Sequence, residues 1–402
     1  MSRFRLYPTV VQAALLESPC GHARYVWNLA VEQQSWWSPR RGPAPDYNEQ
    51  ARQLAEDRKE NPWLAEGSQT VQRRAPRDFA IAMAGFLRGT HRKPGFRKRG
   101  KREGFRIVGR RGHQWDARQV GRRWAQVKVP NVGWVRFRPC RTVPNARSYR
   151  MTRDRTGRWQ VAFAVVPEPI GAPGAGGVVG VDRGVALSAA LSTALSTGEL
   201  LSCPGWRPGE RVRLRRLHRR LAKARRGSKR RARLRGRIAR VKAREVDRRK
   251  DWVKKTSTDL ARRFDLIRVE DLRIRSMTRS ARGTVAEPGR GVRRKTGLNR
   301  GILAAGWGLL VVRLERKAPG RVEKVPAAYT SRRCSACGNV AAQSRESQAR
   351  FRCVACGHTA NADINAARNI AAGRAVTARG GTGTPEPANR EPHHSTPPPV
   401  DE

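Results

Sequence analysis

The first ninety residues combine one short strand pattern with helical spacing of apolar residues. Phe4-Arg-Leu-Tyr7 is typical of a short strand, so residues 1–10 are predicted to contribute a first strand. Apolar residues then recur at the spacings of a helix face: Val11, Leu15, Leu16, Ala23, Trp27 and Ala30. A proline-rich break at 38–45 is followed by helical patterns at about 48–58 and 68–88. We therefore expect a helical unit over residues 11–93.

The pattern changes near Pro94, and from there to Pro167 apolar and polar positions alternate. Alternation of this kind is typical of half-buried strands. The alternating apolar residues are Val127, Val129, Val135, Phe137, Trp159, Val161, Phe163 and Val165. Lys128 and Arg136 lie between them, so residues 94–170 are predicted to form a small antiparallel β-barrel or sheet with a basic outer face.

The glycine-rich residues 171–177 have the composition of a linker, and the strand Val178-Val-Gly-Val-Asp182 opens an α/β pattern that runs to about residue 370. Apolar residues at helical spacing predict a helical hairpin over 207–262 that turns at Gly227: Leu214, Leu217, Leu221, Leu234, Ile238 and Val241. Residues 211–250 carry 21 Lys or Arg and two acids. The narrow apolar stripe would pack the helices together, and the dense positive face is suited to a phosphate backbone.

Composition adds a partner to this picture. The chain has 402 residues, of which 38% are apolar, enough for real cores. Its 85 Lys and Arg against 32 Asp and Glu give a formal charge of +53. That charge cannot be balanced internally, so a large surface must meet a polyanion, with nucleic acid the leading candidate.

The ends of the chain and its apolar runs bear on location. No membrane association is expected, because the longest clean apolar run, residues 301–312, is too short to span a bilayer. The N-terminus has no secretory apolar segment, so Cys20, Cys140 and Cys203 are expected to be reduced thiols in a cytoplasm. Residues 371–402 are rich in Gly, Pro, Thr and Ala and are predicted to be a disordered tail.

Four further cysteines have the spacing of a metal site. Cys334 and Cys337 form one C-x2-C pair, and Cys353 and Cys356 form a second pair after fifteen intervening residues. Two such turns supply the four thiolates that a tetrahedral Zn²⁺ site requires. Disulfides or a redox C-x-x-C would need an oxidising compartment or a thioredoxin-like context, and neither is indicated. Since four thiolates leave no open position, the zinc site is predicted to be structural.

Three carboxylates stand where a catalytic metal could be held. Asp182 and Glu270 each end an apolar strand, and Asp363 opens a helix seven residues after the last of the four cysteines. Taken singly, each would more often cap a helix or pair with an arginine. Together, in a basic protein that must bind phosphodiesters, they fit two Mg²⁺ ions about 4 Å apart. Strand alternation turns the neighbouring Asp271 away, so Glu270 is the predicted ligand.

Six segments carry a resemblance to a known family: Tyr25-Val-Trp-Asn-Leu-Ala30, Gly180-Val-Asp-Arg-Gly184, Val269-Glu-Asp-Leu272, Gly297-Leu-Asn-Arg-Gly-Ile302, Tyr329–Gly338 and Phe351–Asn369. They resemble the TnpB family of transposon-encoded RNA-guided DNA nucleases, which are closely similar to miniature type V CRISPR effectors. The resemblance spans most of residues 1–370, and its C-terminal half is the more specific part.

The resemblance implies that residues 178–328 and 359–370 form a RuvC nuclease domain of ribonuclease H-like fold, with Asp182, Glu270 and Asp363 as its Mg²⁺ ligands. The zinc ribbon, residues 329–358, would be an insert beside that site. Residues 94–170 and the first strand would form a wedge β-barrel, and residues 11–93 the helical recognition unit inserted in it.

The same resemblance implies the partners and the reaction. The protein would bind a structured guide RNA, read a short motif beside the target, and leave sequence recognition of the DNA to guide pairing. A single Mg²⁺-dependent site would leave a 5′-phosphate and a 3′-hydroxyl. The setting would be the cytoplasm of a prokaryotic cell, in association with the nucleoid.

Two other functions stay open at this point. A transposase that cuts and joins the ends of its own element could use three acids on such a fold, and a non-catalytic repressor could bind nucleic acid alone. The intact acids weigh against the repressor. Transposon nuclease and CRISPR effector are not separated by sequence, and neither are monomer and dimer. A duplicated Leu-Ser-Thr at residues 191–198 could perturb the site near Asp182 or only lengthen a turn.

Overall fold

The computed structural model describes residues 2–38, 40, 42–101, 103–109, 112–113, 115–184, 191–347 and 349–373, and every structural statement below concerns those residues. The predicted tail lies outside them from residue 374 onward.

A seven-stranded antiparallel sheet forms the N-terminal part of the described chain. Its strands are β1 (Ser2–Tyr7), β2 (Gly104–Val108), β3 (Ala117–Gln119), β4 (Ala125–Val129), β5 (Gly133–Phe137), β6 (Ser148–Arg153) and β7 (Trp159–Phe163). Their order across the sheet is β2-β6-β7-β1-β5-β4-β3. The N-terminal strand β1 lies in the middle, with Phe4 opposite Val161 and Leu6 opposite Phe137.

The alternation read from the sequence is confirmed at β4, β5 and β7. Val127, Val135, Phe137, Val161 and Phe163 are fully buried, whereas Lys128 and Arg136 between them are exposed; in β7 the small residue Ala162 is buried as well. The prediction named no residues of β2, β3 or β6. Strand β3 has only three residues, and β6 breaks the alternation where two neighbouring residues are both buried. Strand β2 alternates as regularly as β4 and was simply not singled out.

Five α-helices are found among the described residues between β1 and β2. They are α1 (Val10–Leu15), α2 (Glu17–Trp36), α3 (Tyr47–Glu60), α4 (Pro62–Ala65) and α5 (Gln69–Leu87). Helix α2 packs on α5 through Val26 against Ala75 and through Trp27, whose ring meets Phe79 edge to face at 5.5 Å. Leu16 and Ala23 extend the sheet core into this helical layer.

The predicted helical segment is divided into two helices. The apolar spacing runs from Val11 to Ala30, but Val11 and Leu15 are 69% and 44% exposed. The chain starts a new helix after Leu16, which is fully buried. A capping box between Thr9 and Gln12 begins α1. Pro19 lies in the first turn of α2 and has no N–H to continue the hydrogen bonds of α1, so the two helices are separate.

A second sheet of five strands forms the C-terminal part of the described chain. Its strands are β8 (Val178–Arg183), β9 (Leu191–Leu195), β10 (Leu200–Cys203), β11 (Leu266–Glu270) and β12 (Val322–Val325), in the order β10-β9-β8-β11-β12. Strands β8, β9 and β10 are antiparallel, whereas β8, β11 and β12 are parallel. The duplicated Leu-Ser-Thr lies in β9 and in the turn that joins it to β10.

Helices surround this sheet. They are α6 (Glu210–Ala222), α7 (Lys229–Arg263), α8 (Ile274–Met277), α9 (Val292–Ala305), α10 (Trp307–Lys317) and α11 (Ala362–Ala371). Helices α6 and α7 form a hairpin that packs through Leu217, Leu234, Ile238 and Val241, which belong to the predicted stripe. None of the described helices is long and apolar enough to cross a membrane.

The two faces of the second sheet carry different helices. On one face, Val179, Val181, Ile267 and Val269 pack against the second half of α7 and against α10, in one core with Leu260, Leu310 and Leu314. The other face is covered by α11. Because successive strand residues point to opposite faces, Asp182 and Glu270 lie on the α11 face.

The glycine-rich segment 171–177 is anchored to this second unit. The carboxylate of Asp265 accepts hydrogen bonds from the backbone N–H groups of Gly174 at 2.8 Å and Gly177 at 3.1 Å. Arg321 also donates to the carbonyl oxygen of Ile170 at 2.6 Å. The segment therefore has a defined path immediately before β8.

Candidate catalytic and metal sites

Parallel pairing of β8 and β11 places two of the three predicted acids side by side. Val181 pairs with Val269, so the next positions on the two strands are Asp182 and Glu270. Each is only 9% exposed. The sequence brings them there because each follows an apolar run that fills the core on the opposite face.

The third acid comes from the first turn of α11. Asn361 caps this helix, and its side-chain oxygen accepts from the N–H groups of Asp363 at 3.0 Å and Ile364 at 3.3 Å. The helix lies directly on β8 at Gly180, where a Cβ atom would overlap the carbonyl oxygen of Ala367. At the end of β8, a Cβ built on Gly184 would lie 3.4 Å from a carboxylate oxygen of Asp363. The helix thus delivers Asp363 to the end of β8.

The three carboxylates influence one another electrostatically. Burial raises the pKa of Asp182 to about 7, and the negative charges of Glu270 and Asp363 add to that effect. Burial also raises the pKa of Glu270, although a hydrogen bond from Thr330 and the charge of Arg183 oppose it. The pKa of Asp363 is raised by burial against the opposing charge of Arg345. Burial is therefore the largest cause of all three raised pKa values, and Asp182 also carries the repulsion of the other two acids.

This donor set fits hard divalent cations, which prefer carboxylate oxygens. Among the described residues, the four cysteines are the only group of three or more His, Cys, Asp or Glu side chains whose ligand atoms all lie within 4.8 Å of one another. The three carboxylates are spaced more widely than that, and their oxygens could hold a divalent cation.

Two arginines at this site were not recognised from the sequence. Arg183 is 4% exposed and donates a hydrogen bond to the backbone carbonyl of Glu270. Arg345 lies in the segment between the two cysteine pairs, and its Nη2 is 3.4 Å from Asp363 Oδ1. Local sequence gives no signal for Arg345, because only the folding of the ribbon onto α11 brings it to the site.

Asp271 lies outside the cluster. Its backbone N–H donates to the carbonyl of Val325 at 2.7 Å, which extends the pairing of β11 with β12. Its side chain is exposed, in contrast to that of Glu270. This is the arrangement that strand alternation requires.

The four cysteines form a compact thiol cluster. Cys334 Sγ lies 3.8 Å from Cys356 Sγ, and Cys337 Sγ lies 3.6 Å from Cys353 Sγ. A tetrahedral site with Zn–S bonds of about 2.3 Å has sulfur atoms about 3.8 Å apart. Each pair sits on a turn in which the first cysteine's carbonyl accepts from the following glycine, Gly338 or Gly357, at 3.0 Å. Strands β13 (Arg350–Arg352) and β14 (Thr359–Asn361) complete the ribbon.

Two buried asparagines join this ribbon to α11. Asn365 and Asn369 each donate from Nδ2 to the carbonyl of Arg333 at 2.7 Å, and Asn369 also donates to the carbonyl of Thr330 at 2.9 Å. Ser335 N–H donates to Asn365 Oδ1 at 2.9 Å. The signal for them was the spacing of four residues from Asn361 to Asn365 to Asn369, which puts polar residues on one face of a helix.

A basic cavity lies away from the carboxylates, between the N-terminal sheet and α7. Its volume is about 530 Å³, and the arginines that line it are Arg5, Arg153, Arg158, Arg240 and Arg244. A neighbouring cavity of about 450 Å³ between α6 and α7 shares Arg240 and Arg244 and adds Arg213 and Arg237. The two units of the molecule therefore share one groove with a strongly positive lining.

Comparison with known proteins decides the family. The chain is 33% identical to the Escherichia coli (strain K12) protein InsQ, named as an RNA-guided DNA endonuclease, over 94% of this chain and 93% of that protein. A Streptomyces pristinaespiralis protein named in the same way is 31% identical, over 94% of this chain and 90% of that protein. The chain belongs to the TnpB family.

Family models match three segments of this TnpB-family chain. Residues 2–42 match a "Helix-turn-helix domain", residues 164–281 match "Probable transposase", and residues 307–370 match "Cas12f1-like, TNB domain". The fold is also similar to that of a solved Cas12f1–sgRNA–target DNA complex, with a TM-score of 0.51 and 13% identity over 90% of this chain and 82% of that one. The resemblance read from the sequence is thus confirmed, together with a multidomain α/β architecture.

Proposed function

We propose that this protein is an RNA-guided DNA endonuclease with a single active site formed by Asp182, Glu270 and Asp363. The observation that carries the proposal is the convergence of these acids from β8, β11 and α11, with the pKa of Asp182 raised to about 7 by burial and by the other two charges. Perturbed carboxylates gathered in a basic protein are typical of phosphodiester hydrolysis. The names of the two full-length relatives agree with this activity.

The nuclease unit is assigned as a RuvC domain of ribonuclease H-like fold over residues 178–328 and 359–370, with residues 329–358 as the inserted zinc ribbon. The order of the second sheet supports this assignment, because three antiparallel strands are followed by two parallel ones. The positions of the acids, two at strand ends and one at a helix start, support it as well.

Mg²⁺ is the proposed catalytic metal, since Asp182, Glu270 and Asp363 offer the carboxylate oxygens that it prefers. When bound, it would lower the pKa of a water molecule and stabilise the leaving oxygen. The chain's own residues hold the carboxylates in place: Arg183 fixes the backbone of Glu270, and Gly180 lets α11 bring Asp363 to β8. Arg345 supplies positive charge beside Asp363, where it could contact a DNA phosphate.

The N-terminal unit is assigned to guide RNA and target recognition. The seven-stranded sheet would be the wedge barrel, and the helices between β1 and β2 the recognition unit inserted in it. Arginines stack on tryptophans of this sheet, with Arg118 4.1 Å from the Trp134 ring and Arg138 5.0 Å from the Trp124 ring. Together with the arginine-lined groove, this surface is suited to a nucleic-acid backbone and its bases.

RNA dependence tests this function. The purified protein should carry a discrete structured RNA, identified by sequencing, and should cut a DNA target that matches the guide. Complete RNase treatment before the target is added should abolish cutting, and added guide should restore it. Cutting of the matched target after full removal of RNA would contradict guidance.

A transposase is the second candidate, favoured by the family model that covers residues 164–281. The same cleavage reaction distinguishes the two, because a transposase would produce joined strand-transfer products from the ends of its own element. Products with free 5′-phosphate and 3′-hydroxyl ends support the nuclease. A repressor would bind the target and produce neither.

Structural zinc is proposed for Cys334, Cys337, Cys353 and Cys356, because the sulfur distances fit a thiolate tetrahedron. Metal analysis should give one zinc per chain, and Cys353→Ser should lower that content. Zinc well below one per chain in the wild type, or unchanged in the variant, would contradict the assignment.

A further inference from the structure

Thr330 touches a candidate catalytic acid from outside the acid cluster. Its side chain is 3% exposed, and its Oγ1 lies 2.8 Å from Glu270 Oε1. An ionised carboxylate can only accept, so the hydroxyl donates in this contact. The carbonyl of Ala327 lies farther away, at 3.2 Å, and competes less well for the single hydroxyl proton.

The backbone around Thr330 is held in an unusual conformation. Tyr329 has φ of +59°, in the left-handed region that aromatic residues rarely adopt. Its carbonyl accepts from the N–H groups of Arg332 at 2.9 Å and Arg333 at 3.0 Å, which stabilise this turn. Strained backbone that is held by its surroundings is often found at functional sites.

The same turn is fixed from the opposite side by α11. Asn369, which is 6% exposed, donates to the carbonyl of Thr330 at 2.9 Å. Helix α11 also carries Asp363 in its first turn. One hydrogen-bonded unit therefore connects the helix of one acid to the carboxylate of another, across a separation of 60 residues between Thr330 and Glu270.

We propose that Thr330 is a positioning residue for the nuclease reaction, which holds Oε1 of Glu270 and thereby presents the other carboxylate oxygen to the divalent cation. The proposal rests on the function assigned above to Asp182, Glu270 and Asp363. Hydrogen bonds to the carboxylates that ligate a metal fix their orientation, and loss of such a partner typically weakens metal binding or activity by about 10–100-fold. Thr330 reaches Glu270 from the last residues before the first cysteine pair, so the ribbon also contributes to the geometry of the metal site.

The test compares Thr330→Val, which keeps the shape and removes the donor, with Thr330→Ser, which keeps the donor. In guide-loaded protein, Thr330→Val should raise the Mg²⁺ concentration for half-maximal cleavage by about tenfold or more, with a much smaller loss of rate at saturating Mg²⁺. Thr330→Ser should stay close to wild type. A purely structural role would instead lower zinc content, melting temperature and DNA binding in the valine variant, and added Mg²⁺ would not restore cleavage.

A second readout does not depend on cleavage. Mn²⁺ binding to the zinc-loaded, RNA-free chain is followed by the electron paramagnetic resonance signal of free Mn²⁺, with Asp182→Asn as the background. The Mn²⁺ affinity of Thr330→Val should fall by about tenfold and that of Thr330→Ser should not. If the valine variant melts at a lower temperature, Thr330→Ala provides the same comparison, and its Mn²⁺ affinity must also fall.

The outcomes separate this inference from the proposed function. If Thr330→Val has the Mg²⁺ dependence and Mn²⁺ affinity of the wild type while Asp182→Asn is inactive, the role of Thr330 is overturned and the active-site assignment stands. Normal cleavage by Asp182→Asn would instead overturn the assignment of the active site itself.

Discussion

Asp182 is the residue whose environment departs most clearly from that of a surface carboxylate. It is 9% exposed, and Glu270 and Asp363 are its charged neighbours, so burial and repulsion together raise its pKa to about 7. In the unfolded chain the same carboxyl titrates near its ordinary value of about 4. Without a bound cation, the folded protein therefore keeps a proton that the unfolded chain has lost between about pH 4 and pH 7.

This difference predicts how stability depends on pH. Because the pKa of Asp182 is higher in the folded protein, the metal-free protein loses stability as pH rises from about 4 to 7. The free energy of unfolding falls by about 2–4 kcal/mol over this range. Above about pH 7 the Asp182 carboxyl causes no further loss. Asp182→Asn should remove this pH-dependent loss of stability. The variant should therefore melt at a higher temperature than the wild type at pH 8, and the difference should be smaller at pH 5.

The measurement is thermal unfolding at both pH values, with zinc retained and no Mg²⁺. Addition of Mg²⁺ at pH 8 should then raise the melting temperature of the wild type more than that of Asp182→Asn, because the cation replaces the missing positive charge. Parallel pH dependence of the two proteins would contradict the assigned environment of Asp182.

At this scale the sequence pointed to the three acids as candidates but not to their partners. Asp182 and Glu270 were recognisable because each ends an apolar strand, and the cysteines because of their spacing. Thr330 and Arg345 were not recognised, because each meets an acid only after the ribbon folds against α11 and β11. Contacts made through tertiary packing carry no local sequence signal of the kind that strand ends and paired cysteines provide.

At the scale of elements, the site depends on the close packing of α11 on β8. Gly180 permits this approach, because a Cβ atom there would overlap the backbone of Ala367 and Ala371. The helix must then move outward, and Asp363 at its N-terminus would move with it. The geometry of one acid is thus set by a glycine on another element.

Gly180→Ala should therefore reduce stability and cleavage together. Overpacking of a tight contact costs about 1–3 kcal/mol, and the backbone atoms involved cannot rotate away as a side chain could. Gly205→Ala is the matched control, since a Cβ at Gly205 meets nothing within 4 Å. Thermal unfolding and cleavage rates of the two variants check this. If Gly180→Ala has the same melting temperature and cleavage rate as Gly205→Ala, the packing of α11 on β8 is not tight enough to require glycine.

Sequence patterns identified most of the elements but not how they associate. The helical hairpin and strands β4, β5, β7, β8 and β11 follow from regular apolar spacing. The parallel pairing of β8 with β11 does not follow from that spacing, because β9, β10 and the long hairpin separate the two strands along the chain. The break between α1 and α2 was missed because the apolar spacing continues across Pro19, which has no N–H to extend the hydrogen bonds of α1.

At the scale of the whole molecule, positive charge converges on the groove between the two units. Arg237, Arg240 and Arg244 lie on one face of α7, at spacings of three and four residues, and all three are exposed. Arg5 and Arg153 face the same groove from the N-terminal sheet. A phosphate backbone that follows this groove would contact both units at once.

Replacing Arg237, Arg240 and Arg244 by Gln should weaken guide RNA binding and reduce its dependence on salt. Each lost phosphate contact lowers the slope of log affinity against log salt by about 0.7–0.9, so three contacts should lower it by about 2–3. The control triple replaces basic residues that acidic neighbours already neutralise: Arg52, Lys255 and Arg350. Binding is measured at several salt concentrations, and equal slopes for both triples would exclude the groove as an RNA contact.

The most direct test of the active site uses the adjacent residues Glu270, which is buried at the end of β11, and Asp271, which follows it and is exposed. Guide-loaded Glu270→Ala and Asp271→Ala proteins are compared with wild type for binding and cleavage of a matched DNA target in Mg²⁺. Glu270→Ala should cut at below about 1% of the wild-type rate, because a metal ligand is lost, while target binding, which depends on arginines and base pairing, should stay nearly intact. Asp271→Ala should remain at least partly active. Cleavage by Glu270→Ala at a rate near that of the wild type would contradict the account.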